Sequence, residues 1–171
     1  MEKKQICAFT GLRPEKLPVL TDTTTSEYAV LRTRIKNEVI RLITEENVGS
    51  FLCGMAKGID LICGRIVLEL KEQYPDITLE AVIPYEKQAA AWNENDREEY
   101  FDVAEHCDKE TMLQTQYTNG CLQKRNRYLV DNADIVLAVW NGTSGGTAYT
   151  VSYAQKKGKT LVIINPDEPA E

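Results

Sequence analysis

Residues 134–147 have the sequence DIVLAVWNGTSGGT, in which an apolar run is followed by a glycine-rich loop. The run from Asp134 to Val139 is apolar on both faces, which is typical of a central strand in a parallel sheet. We predict that a helix follows over residues 146–157. Because a strand, a turn and a helix in this order form the basic unit of α/β proteins, this stretch indicates the fold class.

The same alternation of strand-like and helix-like patterns continues on both sides of this stretch. The predicted strands are 5–10, 50–53, 78–83, 111–113, 134–139 and 160–164, and the predicted helices are 24–46, 58–73, 94–106, 119–132 and 146–157. Thr24 and Glu27 match a capping box at the start of the first helix. We therefore expect a single Rossmann-like domain over residues 1–171, doubly wound, with a mostly parallel sheet and helices on both faces. The acidic tail, 165–171, is expected to be frayed.

The charge balance limits the classes of partner. The chain has 20 Lys and Arg against 26 Asp and Glu, a net charge of −6. Nucleic-acid-binding domains usually carry a basic face, whereas this chain has only one short basic cluster, at 124–127. We therefore expect neither nucleic acid nor an anionic membrane surface as a partner.

The remaining composition indicates a cytoplasmic protein without a metal site. No apolar run approaches the ~18–20 residues that a membrane span requires, and the first residues lack the apolar core of a secretory signal. The five cysteines and one histidine do not have zinc-site spacing. The sequence identifies no cofactor. It does not decide the oligomeric state, so a homo-oligomer stays open.

Three loops are selected as ligand-binding candidates, because doubly wound sheets bind ligands beyond the carboxyl ends of their strands. These loops are 10–14, 54–60 and 140–147. The last is the most informative, since its glycines allow close approach of a ligand and the following helix start favours an anion. The hydroxyls of Thr143, Ser144 and Thr147 can donate to phosphate oxygens. A tight turn that needs glycine is an equally good explanation of this loop alone.

The other two loops each contribute one charged candidate. Asp60 could accept hydrogen bonds from ribose hydroxyls, or it could simply stabilise the start of its helix. Arg13 could bind phosphate through two guanidinium nitrogens, or it could be an ordinary surface arginine.

The helix at 119–132 places two further polar residues near the core. At ~100° per residue, Asn126 lies close to Leu122 on the inward face, Arg125 lies at the other inward edge, and Arg127 points outward. A buried asparagine needs hydrogen-bond partners. An anion bound by Arg125 and a structural network that joins Asn126 to loop carbonyls are both consistent with this arrangement.

Three aromatic residues near strand ends, Tyr85, Trp92 and Trp140, could stack on a nucleobase. Core packing is the commoner role of such residues, and we favour it for Trp92. The single His106 lies in an acidic helix, where we expect an ordinary surface residue rather than a member of a catalytic triad.

Several segments resemble a known group of proteins. CGMAKGID (53–60) looks like the S-G-G-A-x-G-I-D loop of DNA processing protein A, and KRNRYLVDNADIVLAV (124–139) is similar to the R-N-R-I-I-x-x-L segment and strand of that family. NGTSGGTAYTVSYAQKKGK (141–159) resembles its G-S-G-S-x-x-T-A segment. The same order of loops characterises the SLOG superfamily. The opening TGLRP (10–14) and the stretch from Ile83 to Trp92 look most like the YpsA family, and the resemblance covers residues 5–164.

The resemblance implies a Rossmann-like fold that binds nucleotide-derived ligands at these loops. The site residues that it implies are Gly11, Arg13, Gly54, Gly58, Asp60, Arg125, Asn126, Gly145, Gly146 and Thr147. Thr143 and Ser144 join them from the reasoning on the loop itself. LOG-type hydrolases of the superfamily use P-G-G-x-G-T-x-x-E, whose glutamate assists glycosidic cleavage. Here Thr150 stands in its place, and no acidic residue occurs between Gly142 and Gly158.

We therefore predict binding of a nucleotide or nucleotide-sugar-like small molecule, by a sensor, carrier or regulator. One alternative is a nucleotide N-glycosidase or phosphoribohydrolase-like enzyme, which the missing glutamate disfavours. Another is a single-stranded DNA-binding module like DNA processing protein A, which the net charge disfavours. The sequence identifies no catalytic residue and leaves open whether the protein is an enzyme.

Overall fold

The computed structural model describes residues 2–169, in which six strands and five α-helices alternate. The strands are β1 (Gln5–Gly11), β2 (Val48–Cys53), β3 (Thr78–Ile83), β4 (Lys109–Met112), β5 (Ile135–Val139) and β6 (Thr160–Ile164). The helices are α1 (Ser26–Glu45), α2 (Ile59–Leu70), α3 (Glu94–His106), α4 (Cys121–Asp131) and α5 (Gly146–Lys156). The predicted α/β Rossmann-like fold is confirmed.

The strands form one sheet in the order β4-β3-β2-β1-β5-β6, and all neighbouring pairs are parallel. From β1 the chain proceeds through β2 and β3 to the β4 edge. It then returns to the other side of β1, where β5 and β6 complete the sheet. The winding direction therefore reverses between β1 and β5, which is the switch point at which such sheets bind ligands.

The helices cover both faces of the sheet, as predicted. Helices α1, α2 and α3 pack on the face that carries Phe9 and Phe51, whose rings stack with their centroids 5.4 Å apart. The opposite face is covered by α4 and α5, and its core is smaller. Leu129 and Ala133 are buried there against Ala8.

Some predicted boundaries differ from those in the structure. The N-cap of α1 is Thr25, whose side chain accepts a hydrogen bond from the Tyr28 amide at 3.1 Å. The predicted capping box at Thr24 is therefore wrong, because the Thr24 hydroxyl bonds to Asp22 instead. The edge strand β4 begins at Lys109 rather than at residue 111. Its exposed polar residues conceal it from an analysis of apolar runs.

The tail that was expected to be frayed from residue 165 is held to α1 as far as the structure describes it. Arg34 donates hydrogen bonds to the carbonyls of Asn165 and Glu168, at 3.1 and 3.0 Å. Asp167 also accepts a hydrogen bond from Asn141 at 2.9 Å. Residues 170 and 171 lie outside the described part of the chain.

Candidate functional site

A cavity of about 310 Å³ opens at the switch point between β1 and β5. Its wall consists of the loops that follow these two strands, part of the loop after β2, the first turn of α2 and part of α4. The predicted residues that line it are Gly11, Arg13, Asp60, Arg125, Asn126, Thr143, Ser144, Gly145, Gly146 and Thr147. Gly54 and Gly58 do not line it. The three candidate loops therefore converge on one concave site.

Arg125 is the most constrained charged side chain of this cavity, with only 4% of its surface exposed. Its Nη1 donates to the Gly54 carbonyl and, at 3.4 Å, to Gln88, while its Nε donates to the Asn126 side chain at 2.9 Å. Burial lowers the pKa of the guanidinium, and the nearby Asp60 carboxylate opposes this shift. Nη2 takes part in none of these bonds, and the residue lines the cavity.

The predicted structural network exists, but Arg125 rather than Asn126 reaches the loop carbonyl. Helix α4 turns Arg125 and Leu129, four residues apart, towards the protein interior, and both are buried. Asn126 is only half-buried and holds the Arg125 side chain. Asn126 was expected on the inward face and Arg125 at its edge, whereas in the structure Arg125 is the more deeply buried of the two.

Asp60 lies in the first turn of α2 and is also buried. Its Oδ2 accepts a hydrogen bond from the Ala56 amide at 3.2 Å, which closes the loop after β2. Burial raises the pKa of this carboxyl, and the Arg125 charge opposes the shift. A Cβ atom at Gly54 would lie 2.9 Å from Asp60 Oδ2 and 3.0 Å from Arg125 Nε. Gly54 is therefore needed for the close packing of these two charged side chains.

The close approach of α2 to β1 explains two more of the predicted glycines. Gly58 precedes α2 with φ of 90°, and a Cβ atom there would lie 2.8 Å from the Leu12 carbonyl oxygen. At Gly11, a Cβ atom would overlap the side chain of Ile59. Both glycines allow the helix to pack against the strand. Gly11 also lines the cavity, whereas Gly58 does not.

The loop before α5 is held by its own side chains. The Trp140 indole donates to the Thr143 carbonyl at 2.8 Å, and Asn141 accepts from both the amide and the hydroxyl of Thr143. Trp140 thus stabilises the loop and does not line the cavity. Because the Thr143 hydroxyl is occupied by Asn141, the hydroxyls of Ser144 and Thr147 are the ones that remain for a ligand.

Helix α5 begins at Gly146 after Gly145, and no side chain among the described residues caps it. Gly145 has φ of 137°, a value that favours glycine. The nearest atom to a Cβ at Gly146 would be Asn126 Nδ2, at 4.0 Å, so this position faces open space. Because Gly145, Gly146 and Thr147 line the cavity, the start of α5 and the positive end of its dipole border it.

Lys16 was not predicted, yet it lines the cavity. Its Nζ donates a hydrogen bond to the Ser144 carbonyl and so connects the loops after β1 and β5. With Arg13 and Arg125, the cavity has three cationic side chains against two carboxylates, Glu15 and Asp60. The cavity is therefore locally cationic in a chain of net charge −6. In the sequence, the only signal for Lys16 was its position three residues after Arg13.

Gln88 was also missed as a site residue. It is buried, its Nε2 donates to the Met55 carbonyl at 3.2 Å, and its Oε1 accepts from Arg125. It therefore connects the loop after β2 to the guanidinium. Gln88 lies within the stretch 83–92 that carries the resemblance to the YpsA family, which was the signal that could have identified it.

The remaining sequence candidates lie away from the cavity. Trp92 packs edge-on against Tyr100 with centroids 5.4 Å apart, and Tyr85 packs against Tyr117. The expected core packing of Trp92 is therefore confirmed. Thr150 is buried, and its hydroxyl donates to the Gly146 carbonyl within α5. His106 is exposed beside Asp102. From residue 2 to residue 169, no aromatic side chain lines the cavity.

The described residues contain neither a metal-binding cluster nor a membrane-spanning helix. Over residues 2–169, no group of three or more His, Cys, Asp or Glu side chains is arranged to hold a metal ion. No α-helix in that range combines the length and the apolar character needed to cross a membrane. The five cysteines are free thiols, and all except Cys107 are buried.

Comparison with known families identifies one that covers nearly the whole chain. The family model described as the YspA SLOG family (YpsA) matches residues 7–168. The UPF0398 protein YpsA of Bacillus subtilis (strain 168) is 25% identical over 171 residues, which cover 96% of this chain and 94% of that protein. The cavity residues in the loops after β1, β2 and β5 all lie within the range that the family model matches.

Two solved structures of DNA processing protein A have similar folds. The protein from Streptococcus pneumoniae aligns with a TM-score of 0.60 and 17% identity, over 95% of this chain and 50% of that chain. The protein from Helicobacter pylori, whose structure concerns its single-stranded DNA binding mode, aligns with a TM-score of 0.61 and 17% identity, over 93% of this chain and 64% of that chain. This chain thus spans half to two thirds of their length. At these identities the likeness shows the fold alone.

Proposed function

We propose that this chain, which belongs to the YspA SLOG family (YpsA), binds a nucleotide or nucleotide-sugar-like small molecule in the cavity at the switch point. The observation that carries the proposal is the convergence of the uncapped start of α5 with the buried guanidinium of Arg125. A helix start and a charge-assisted donor on the same cavity favour a phosphate group. The volume of about 310 Å³ suits a ligand of mononucleotide size.

The charges of the cavity suggest an orientation for the ligand. The phosphate lies at the first amides of α5, between Lys16 and Arg125, and receives hydrogen bonds from the hydroxyls of Ser144 and Thr147. Asp60 accepts hydrogen bonds from the ribose hydroxyls, through the oxygen that Ala56 does not use. Arg13 lies at the outer part of the same wall and adds to the positive potential.

The chemistry of the cavity supports a sensor, carrier or regulator rather than a hydrolase. The glutamate of LOG-type hydrolases is replaced by Thr150, whose hydroxyl is engaged within its own helix. One observation favours the enzyme alternative, because the raised pKa of the buried Asp60 is a property of general acids. Incubation with AMP, followed by chromatography for free adenine, tests that alternative. Release of adenine that stops in Asp60→Asn would establish it.

The binding proposal is tested by the melting temperature in the presence of AMP, ADP-ribose and related nucleotides. A ligand at about 100 times its Kd adds about 2.7 kcal/mol to the free energy of unfolding, which is readily detected. Gly146→Asp places a carboxylate at the expected phosphate position, while the helix dipole favours an acid there, so the protein should fold. Ser152→Asp is the matched control, since it adds the same charge to an exposed part of α5.

We expect a nucleotide-dependent rise in melting temperature for the unmodified protein and for Ser152→Asp, and no rise for Gly146→Asp. An equal rise in all three proteins would remove this loop from the site. Absence of any rise across the nucleotides would contradict the proposed function. The fold of DNA processing protein A makes a labelled single-stranded oligonucleotide a necessary further probe. Its binding, at physiological salt and in preference to nucleotides, would favour the DNA-binding alternative.

A further inference from the structure

A second, more open groove adjoins the cavity on the outer side of α4. Gln123 lines both, so the two concave surfaces adjoin at this residue. The inner residues of α4, including Arg125 and Asn126, line the cavity, whereas Lys124 and Arg127 line the second groove. A ligand that leaves the cavity over Gln123 therefore enters the second groove directly.

The lining of the second groove carries positive charge, as far as the described residues show. It is lined by Lys124 and Arg127, and no carboxylate side chain within residues 2–169 lines it. The chain as a whole has an excess of acidic residues. Two neighbouring cations without an acidic partner, continuous with a cationic cavity, favour an anionic ligand group at this place.

An aromatic side chain in the same groove is held in one orientation. Tyr149 stacks on Tyr153 with an interplanar angle of 6° and centroids 6.3 Å apart, and its hydroxyl accepts a hydrogen bond from Arg127 at 3.0 Å. Arg127 was predicted to point outward, but its side chain is half-buried beside this ring. Tyr149 is nevertheless 37% exposed. It offers a fixed ring for stacking, which the described lining of the cavity itself lacks.

We propose that the second groove binds a second nucleotide unit of the same ligand, so that the full ligand is of dinucleotide size. Lys124 and Arg127 bind its phosphate, Tyr149 stacks on its base, and Gln123 lies beneath the link between the two units. This inference rests on the proposed function, because it assumes that the first unit occupies the cavity. It goes further by naming the ligand class and by assigning a role to residues outside the cavity.

The experiment compares AMP with the 5′-phosphorylated dinucleotide pApA by calorimetric titration. Stacking on an aromatic side chain and two further cations should make pApA bind about tenfold or more tightly than AMP. The affinity for pApA should also fall more steeply with salt, because an additional phosphate is neutralised. The double variant Lys124→Ala/Arg127→Ala should reduce the affinity for pApA to that for AMP and leave AMP binding unchanged. Tyr149→Ala should remove a severalfold part of the same gain.

The control is Lys3→Ala/Lys156→Ala, which removes two exposed cations outside both concave surfaces and should change neither affinity. If AMP binds but pApA binds no more tightly, the inference is overturned and the proposed function stands. If Lys124→Ala/Arg127→Ala weakens AMP itself, the second groove holds part of the first unit, which also overturns the inference. If the unmodified protein binds neither probe, the proposed function and the inference both fail.

Discussion

The loops at 54–60 and 140–147 look alike in sequence but differ physically. Each follows a strand, contains glycines and leads into a helix. In the first loop, a Cβ atom at Gly54 or Gly58 would meet atoms 3.0 Å away or closer, whereas at Gly146 the nearest atom would be 4.0 Å away. Glycine in the first loop is thus required by protein packing, while Gly146 in the second leaves space beside a cavity. A glycine alone therefore does not indicate a ligand site. The indication comes from the atoms that surround the position where a Cβ would lie.

Arg125→Ala should give the largest effect, because it removes the cation that the loop at 54–60 encloses. The change leaves the buried Asp60 without its neighbouring positive charge and leaves the Gly54 carbonyl without its donor. Each buried acceptor that is left without its donor typically costs about 1–3 kcal/mol, and both the Gly54 carbonyl and Gln88 lose their donor. The melting temperature should fall by about 2–4 °C for each kcal/mol. Thermal and denaturant-induced unfolding measure this loss.

The double variant Arg125→Ala/Asp60→Ala sharpens this prediction. It should be more stable than the sum of the two single changes implies, since neither charge is then left alone. Strictly additive losses would mean that the two side chains do not stabilise each other. A stability loss below about 0.5 kcal/mol for Arg125→Ala would mean that the arginine serves the ligand alone.

Gly54→Ala should cost about 1–3 kcal/mol, the usual penalty of overpacking. The added methyl group would press Asp60 and Arg125 apart, since it would lie 2.9–3.0 Å from both side chains. The free energy of unfolding in urea measures the effect. An unaltered stability would show that the loop at 54–60 can yield, and the contrast between the two loops would then fail.

The pH dependence of stability should report on Asp60. Burial raises its pKa in the folded protein, so the folded state binds this proton more tightly than the unfolded chain does. The resulting stabilisation is fully present below the unfolded pKa of about 3.9 and is lost as the pH rises through the raised folded pKa. Asp60→Asn removes this dependence. The free energy of unfolding of the unmodified protein, relative to that of Asp60→Asn, should therefore decrease from pH 4 to pH 8.

A constant difference between the two proteins over this range would contradict the raised pKa. Asn keeps the acceptor for the Ala56 amide, so the loop at 54–60 should close in both proteins. The comparison thus isolates the charge of Asp60 from its hydrogen bond. It also removes the contribution of other carboxyls, such as that of Asp108, whose pKa is lowered.

Gly146→Ala should have the smallest effect on folding, within about 0.5 kcal/mol. Its Cβ would meet no atom closer than 4.0 Å, and the backbone there is helical. The methyl group should nevertheless reduce nucleotide affinity, because it would occupy the space beside the first amides of α5. A melting-temperature assay with and without AMP separates the two quantities. A marked loss of stability in the absence of AMP would show that the second loop is as closely packed as the first.

Local patterns predicted the fold well because the elements depend on neighbouring residues. The strands at 78–83 and 160–164 and the helix at 94–106 have the predicted bounds. Most of the site residues that were predicted lie in or directly after a loop that follows a strand, as Asp60 does. Lys16 and Gln88 were missed because their roles arise from contacts with residues distant in sequence, Ser144 and Arg125. No local pattern encodes such a contact.

The pairing of β1 with β5 has a consequence for the order in which the protein forms. Gly11 lies opposite Val139 in the sheet, so the cavity unites segments that are distant from each other in the sequence. Contacts of such long sequence separation are slow to form and raise the contact order of the chain. A nascent chain that has not yet exposed the loop at 140–147 lacks the part of the cavity wall from Thr143 to Thr147. A nucleotide ligand can therefore stabilise the completed fold, but it cannot act as a template for the early folding of β1, β2 and β3.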